Sequence, residues 1–559
     1  MKHCRRRIVF AGIACALSQR PVERAHAGGL LLPGAGAVST ARAGASTAAA
    51  DDGEAVVLNP AGVAKGEGTT VTLSAVAIEY AMEFQRRGTY DAVSGEQYPY
   101  ANQPFALVKN DARPPLGVDA FQPIPVAAIL SDLGGVLPHF RFGLGLYAPN
   151  SYPFRDMCTQ IGGTCRKYKF NSDPNISPAS NRYDVVKQEA LILLPSFVVA
   201  YRALPQLDLG IRISAGRASI KQTTTIWGSL ANFEEDVKKD DLVRIDAADD
   251  FVVGYGFGVT LRPTDYLELA AVYNSELDIH AKGTTTTQLG PGTTISGLPI
   301  TIAPTPDARA RCAPGGTMTA LKTCLDFELP RSLQLGARYK VLNRAGRLVG
   351  DAEVDVNWEN WGKHCTASEL SNGTCTSPSD FRLVVDGDAQ IASGTLQLKD
   401  SIVSHGLQDT YGIRAGGSVR LALGAPDAAG KPSTELILRG GLAYDTAAAK
   451  TGWLRSDFDG AARTTFAGGV ALHVRQFEFS FGGAVIRETG LGNPNVGGGA
   501  EPCNPSGRTD DTCSGQTVHQ GPDPVTPISD SATQPLSPVA QGDYKAHYVL
   551  LMAGVSAWF

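Results

Sequence analysis

The chain has 559 residues and a formal net charge of −5 at pH 7. So slight an acidic balance supplies no basic field for nucleic acid. The length admits three or four ordinary domains, or one large closed sheet.

At the start, Lys2, Arg5, Arg6 and Arg7 precede an apolar run from Ile8 to Leu17, and Ala25-His26-Ala27 offers an A-x-A cleavage site. This predicts a secretory signal peptide over residues 1–27, too short to cross a membrane as a helix. Residues 28–67 are small and slightly polar, and include AAADDGEAVVLNPAGVA from Ala48 to Ala64. Asn59 or Asp52 could cap a short helix there, with Pro60 at its first position. Such a piece either folds as a plug inside the rest of the chain or hangs free as a tail.

From residue 68 onward the period is two. Leu348 to Trp358 reads LVGDAEVDVNW, with Ala352, Val354 and Val356 on one face and Asp351, Glu353 and Asp355 on the other. Val253, Tyr255, Phe257, Val259 and Leu261 alternate with Gly254, Gly256, Gly258 and Thr260. Fourteen such segments are predicted, near 69–80, 123–131, 139–148, 188–202, 207–220, 251–262, 267–280, 327–341, 348–360, 408–421, 434–445, 463–474, 477–487 and 544–559. Tight links at Leu204–Gln206, Pro263–Asp265, Asn343–Arg347 and Arg475–Gln476 alternate with connections of about 20 to 55 residues, far above the usual loop length. Short turns on one side, long loops on the other and aromatics near strand ends predict an all-β fold, a 14-stranded antiparallel transmembrane β-barrel over 68–559. The final alternation through Val555, Ala557 and the aromatic Phe559 resembles the strand that bacterial barrels present to their insertion machinery.

Ten cysteines are present, and Cys4 and Cys15 lie in the leader. The rest come as neighbours: Cys158 with Cys165, Cys312 with Cys324, Cys365 with Cys375, and Cys503 with Cys513. Each pair falls in a long connection, so local disulfides bracing exposed loops in an oxidising compartment are expected. C-x-x-C spacing is absent, which argues against a metal site.

Several stretches carry a family resemblance. GAVSTARAG at 36–44, Ala50-Asp51-Asp52 and Asn59-Pro60-Ala61 together resemble the N-terminal hatch of the outer-membrane long-chain fatty-acid and hydrocarbon transporters (FadL/TodX type). FGLGLYAPN at 142–150, GYGFGVTLRPTDYLELAAVYNSELDIHAKG at 254–283, LPRSLQLGARY at 329–339 and VNWENW at 356–361 resemble barrel strands of that family in order. The loop cysteine pairs and the long connection at 488–543 depart from it.

The resemblance implies a small, partly helical hatch at 28–67 inside the barrel lumen, with Asp51, Asp52, Asn59, Pro60 and Ala61 as its gating residues. It implies capture of a fatty acid or another hydrophobic small molecule by the extracellular loops, hatch displacement and lateral release. Prolines remove ladder donors, so Pro125, Gly143, Gly145, Pro149 and Pro195 are candidates for a lateral opening around strands two to four. Asp51 and Asp52 could pair with inward arginines such as Arg212, Arg338 or Arg414, or simply form a solvated turn.

The expected surroundings are the lipid and lipopolysaccharide of a bacterial outer membrane, crossed many times by a monomer, with no nucleic acid partner. No cofactor, metal or catalytic residue is expected: there are nine His, His3 and His26 of them in the leader, and no G-x-S-x-G. The alternative function is a general or substrate-specific porin for polar solutes.

Overall fold

The computed structural model describes residues 29–559 except 171–174, 228–234, 296–297, 392–393, 399, 425–431, 451–452, 459, 490–491, 493–511, 514–515 and 518–541. The expected leader, residues 1–27, lies outside the described residues.

The chain closes a 14-strand antiparallel barrel. Its wall strands are β1 (Thr69–Arg86), β2 (Gln122–Ser131), β3 (Phe140–Tyr147), β4 (Lys187–Leu204), β5 (Leu207–Trp227), β6 (Asp240–Leu261), β7 (Leu267–Asn274), β8 (Ser332–Leu342), β9 (Leu348–Glu359), β10 (Thr410–Ala422), β11 (Thr434–Asp445), β12 (Ala462–Val474), β13 (Phe477–Thr489) and β14 (Gly542–Trp558). Neighbours in sequence are neighbours in the wall, and β14 returns to β1 over Thr70↔Trp558 to Arg86↔Gly542. Thr69 and Phe559 exchange both backbone bonds, at 3.0 and 2.8 Å, and finish the seam. Closure pairs the first and last wall strands, whose edges an open sheet would expose to lipid.

Burial runs opposite to that of a water-soluble protein. Ile213 is 56 % exposed, Val354 48 % and Phe481 57 %, whereas Glu353 is 1 % and Asp355 2 % exposed. The apolar face of each strand therefore looks outward and the charged face looks into the lumen. Aromatic pairs mark the rims: Phe140 lies 4.7 Å from Tyr201 beside the short turns, and Tyr255 6.3 Å from Tyr273 toward the long loops.

The seventh and eighth segments depart from the sequence reading of 267–280 and 327–341. β7 stops at Asn274, and a separate strand runs over Leu277–Gln288; its partner Leu321–Leu329 is likewise divided from β8 at Pro330-Arg331. Pro330 has no N–H to donate, so the ladder is interrupted there. Several wall strands also rise well beyond the lipid-facing belt: β5 continues to Trp227 and β6 begins at Asp240. Much of what reads as long loop is thus sheet.

Three of the four expected disulfides are formed among the described residues. Cys158 is bonded to Cys165, Cys312 to Cys324 and Cys365 to Cys375, all on the long-loop side. The fourth, expected between Cys503 and Cys513, is not among them. Cys503 lies outside the described residues, while the backbone of Cys513 belongs to a short strand, Thr512–Cys513, paired antiparallel with Gln516–Thr517.

Candidate functional site: the filled lumen and its cavities

Residues 29–66 lie against the inner wall. They form two single helical turns, α1 (Ala37–Thr40) and α2 (Ala55–Leu58), and a 3₁₀ turn over Pro60–Lys65. Turns this short do not hold themselves together in water, so the surrounding barrel must fix them. Asn59 Oδ1 accepts from the Ala61 N–H at 3.0 Å, capping the 3₁₀ turn that Pro60 opens. Its Nδ2 donates to Thr47 O at 2.8 Å and to Thr260 Oγ1 of β6 at 3.0 Å, tying the cap to the wall.

Space for this segment comes from wall positions without side chains. A Cβ on Gly210 would fall 2.2 Å from the Pro60 carbonyl carbon, and one on Gly258 2.3 Å from Asn59 Oδ1. Larger residues there could not coexist with the docked segment.

Polar groups of the wall satisfy the segment's exposed backbone. Asp355 Oδ2 accepts from the Ser46 and Thr47 N–H groups, both at 2.9 Å. Glu353 accepts from Ala48 and Ala49. Arg212 donates to Val57 O at 2.7 Å and Val56 O at 3.1 Å, reaching carbonyls that a helix C-terminus leaves unpaired. Arg141 holds Val63 O at 3.1 Å. Arg42 forms ion pairs with Asp351 at 2.8 Å and Glu353 at 3.1 Å.

The expected pairing of Asp51 or Asp52 with Arg212, Arg338 or Arg414 is not made. Arg212 is spent on the Val56 and Val57 carbonyls, Arg338 on Asp351 and Glu268, and Arg414 on Asp445. The polarity is reversed, with a basic residue of the segment meeting acids of the wall. Asp51 is exposed, while Asp52 is buried and accepts from the Glu54 N–H at 2.9 Å. Burial first, then the neighbouring Glu54 and Asp51, push the Asp52 carboxyl well above the ordinary carboxylate range. Burial lowers the Lys65 ammonium, against the pull of Glu268.

Three cavities line the path of the segment. Toward the short turns, an open vestibule of about 1490 Å³ is lined by Asp51, Asp52, Lys65, Arg338, Arg439 and Glu478 among others. Midway, a cavity of about 150 Å³ is bounded by Leu31, Leu32, Pro149, Tyr255 and Leu277. Toward the long loops, an apolar cavity of about 120 Å³ is lined by Leu30, Pro149, Ile245, Phe327, Phe381 and Phe458, with a charged group of Asp184, Arg455, Asp457 and His405 in its wall. The beginning of the segment thus borders both inner cavities, and Asp51, Asp52 and Lys65 border the vestibule.

The residues expected at a lateral opening are only partly brought together. Gly143 and Gly145 of β3 face Val56 of α2; a Cβ on Gly145 would lie 2.7 Å from Val56 Cγ1. Pro149 lines both inner cavities. β3 is short, and its ladder to β4 ends at Tyr147↔Leu194. Pro195 leaves the β4–β5 ladder without partners between Leu193↔Arg217 and Ser196↔Ser214. Pro125 sits within an intact pairing to Ala75 of β1.

A second interruption, not read from the sequence, lies three strands further round the wall and borders the same middle cavity. β6 pairs with β7 up to Gly256↔Asn274 and resumes with the next strand at Ala248↔Lys282. Between them the bonds are few: Ser275 and Tyr255 exchange two at 2.9 Å, and Asp249 Oδ2 accepts from the His280 N–H at 2.8 Å. The sequence missed the acid set of β9 as an anchor because an inward acid stripe also fits a wetted lumen. It missed the His405 group because those residues meet only when the loops fold.

No curated protein matches the chain. Solved structures share its fold: a FadL homologue of Pseudomonas aeruginosa (12 % identity, 95 % of this chain and 100 % of that one, TM-score 0.62), the toluene transporter TbuX of Ralstonia pickettii (13 %, 94 % and 99 %, 0.54) and the toluene transporter TodX of Pseudomonas putida (15 %, 95 % and 99 %, 0.53). Residues 195–453 match the family described as outer membrane protein transport protein (OMPP1/FadL/TodX). Over that stretch, and in its closed, lipid-facing barrel, the chain resembles that family, and its wall is that of a bacterial outer-membrane protein.

Proposed function

We propose that the protein is a passive conduit for small hydrophobic molecules, with residues 29–66 acting as a hatch. The observation that carries this reading is the apolar cavity beside Leu30, built from loop and upper-strand residues and bordered by the start of the hatch itself. Burying apolar surface contributes about 25 cal/mol per Å², so such a cavity gains over water what a wet pore cannot. A Leu/Ile/Phe-lined cavity of about 150 Å³ holds benzene; the upper cavity here, about 120 Å³, is of that order. Two proteins of the same fold are named toluene transporters, which favours ring-sized cargo. A long-chain fatty acid would have to extend from the upper cavity into the middle one.

Cargo enters from the long-loop side and occupies the upper cavity. Displacement of Leu30 to Leu32 joins it to the middle cavity. Release then occurs through the wall, either where β3 ends beneath Pro149 or through the β6–β7 interruption beside Leu277. Asn59, Pro60 and Ala61 keep the docked hatch in register, and Asp51 and Asp52 mark its vestibule side.

Uptake of radiolabelled toluene and of a long-chain fatty acid by proteoliposomes tests the reading. Saturable uptake with no steady ion current across planar bilayers supports it. Large steady currents carrying polar solutes would establish the porin alternative.

A further inference from the structure

The lining of the upper cavity is not wholly apolar, and one of its polar groups is left open. His405 is 2 % exposed and lies between the rings of Phe381 and Phe458, at 4.4 and 5.2 Å. Its Nε2 stands 3.4 Å from Asp457 Oδ2. Its Nδ1 has no hydrogen-bond partner. The hydroxyl of Thr285, fully buried in the same lining, has none either. The rest of the charged group is engaged: Arg455 bonds Asp457 at 2.8 Å and Asp184 at 3.2 Å, and the Ser456 hydroxyl bonds Asp184 at 3.0 Å.

An unpaired polar atom buried in the wall of a cavity costs free energy that an occupant able to hydrogen-bond it recovers. From this we infer that the cavity is built for a compact hydrophobe carrying one hydroxyl, a ligand of the phenol class, read by His405. The inference rests on the proposed role of the cavity as the cargo site and adds the chemistry of the head group. A hydroxyl both donates and accepts, so it satisfies Nδ1 whichever ring nitrogen carries the proton. A plain hydrocarbon leaves Nδ1 and Thr285 Oγ1 unpaired. A carboxylate adds a third negative charge beside Asp184 and Asp457, with one arginine to face them, in a site with little water. Phe381 and Phe458 pack against the imidazole at 46° and 55° and restrict its turning, so the open nitrogen has a fixed direction.

The experiment is equilibrium dialysis of the full chain in nanodiscs against toluene, p-cresol and p-toluate, with empty nanodiscs subtracted. p-Cresol should bind about tenfold more tightly than toluene, a preference typical of one hydrogen bond, and p-toluate more weakly than p-cresol. H405F should bring the ratio of p-cresol to toluene affinity, read within the same protein, from about ten to about one. H405Q, which keeps a polar atom, should recover part of the preference. Equal binding of p-cresol and toluene, or a preference that survives H405F, overturns the head-group assignment alone. If none of the three binds above the lipid background, the cavity is not a cargo site and the reading beneath it falls as well.

Discussion

The Arg42 guanidinium of the hatch stands 2.8 Å from the Asp351 carboxylate of β9, and both side chains are almost fully withdrawn from water. Glu353 meets the same guanidinium at 3.1 Å. Removing one partner from a buried pair costs about 3–5 kcal/mol when a charge is stranded; without Arg42 that charge is Glu353, since Asp351 keeps Arg338 at 2.9 Å. The wall ladders do not depend on this pair, so the loss falls on hatch docking. Arg42→Met should raise amide exchange across residues 36–66 by two orders of magnitude or more, while strands such as β12 and β13 stay protected. Unchanged protection of the hatch would show that its docking does not depend on this pair.

The clearance at β5 and β6 gives a steric version of the same test. Gly258→Val puts atoms where Asn59 and Ala61 now lie. Overpacking of this kind typically costs about 1–3 kcal/mol. A cysteine placed at Ala61 should become reactive to a water-soluble thiol reagent in the valine variant and stay protected with glycine at 258. Equal protection in both would mean that the wall tolerates the added side chain.

Hatch docking should also respond to pH through Asp52. Its carboxyl is raised first by burial and then by Glu54 and Asp51. The docked state therefore prefers the protonated acid, while the free segment ionises near the ordinary value of 3.8. Docking is strongest below that value and weakens as pH rises from it through the raised value. Hatch exchange, corrected for intrinsic rates, should climb over that interval. Asp52→Asn should flatten the climb; a profile identical in the two proteins would remove Asp52 as its cause.

The two wall interruptions make different predictions about release. Bridging Gly254 to Leu277 through paired cysteines closes the β6–β7 break; a Cβ on Gly254 would lie 2.4 Å from Leu277 Cδ2. Bridging Tyr147 to Leu194 tightens the end of β3. Whichever bridge lowers uptake at least tenfold, with cargo binding unchanged, marks the exit. If neither does, cargo leaves through the vestibule and lateral release is wrong.

The barrel was legible in the sequence because lipid on one side and a polar lumen on the other enforce a two-residue period on every wall strand. Val253 to Leu261 and Leu348 to Trp358 carry that period without interruption. β1 hid it: of its outward residues Ala75 and Ala77 contrast little with their neighbours, and Glu79 and Glu83 reverse the pattern, with buried Ile78, Tyr80, Met82 and Phe84 on the inward face. The hatch residues Asn59, Pro60 and Ala61 could be singled out by local capping chemistry, since a cap is written within three residues. The partner of Arg42 could not, because it lies 309 positions away on β9, and nothing local distinguishes an anchoring acid from a wetted one. The cavity was illegible for a similar reason: His405, Asp457 and Thr285 come from three separate loop or upper-strand segments.

The most direct test of the account is a reversible tether between hatch and wall. Thr47 and Gln334 of β8 approach to 3.4 Å through their side-chain oxygens, so cysteines at both positions can be joined by oxidation. Toluene uptake by proteoliposomes is then measured in the tethered and released states, with the two single-cysteine proteins treated in the same way. The account predicts that tethering stops uptake, that release restores it, and that neither single variant responds. Uptake at full rate with the hatch locked to the wall would contradict it.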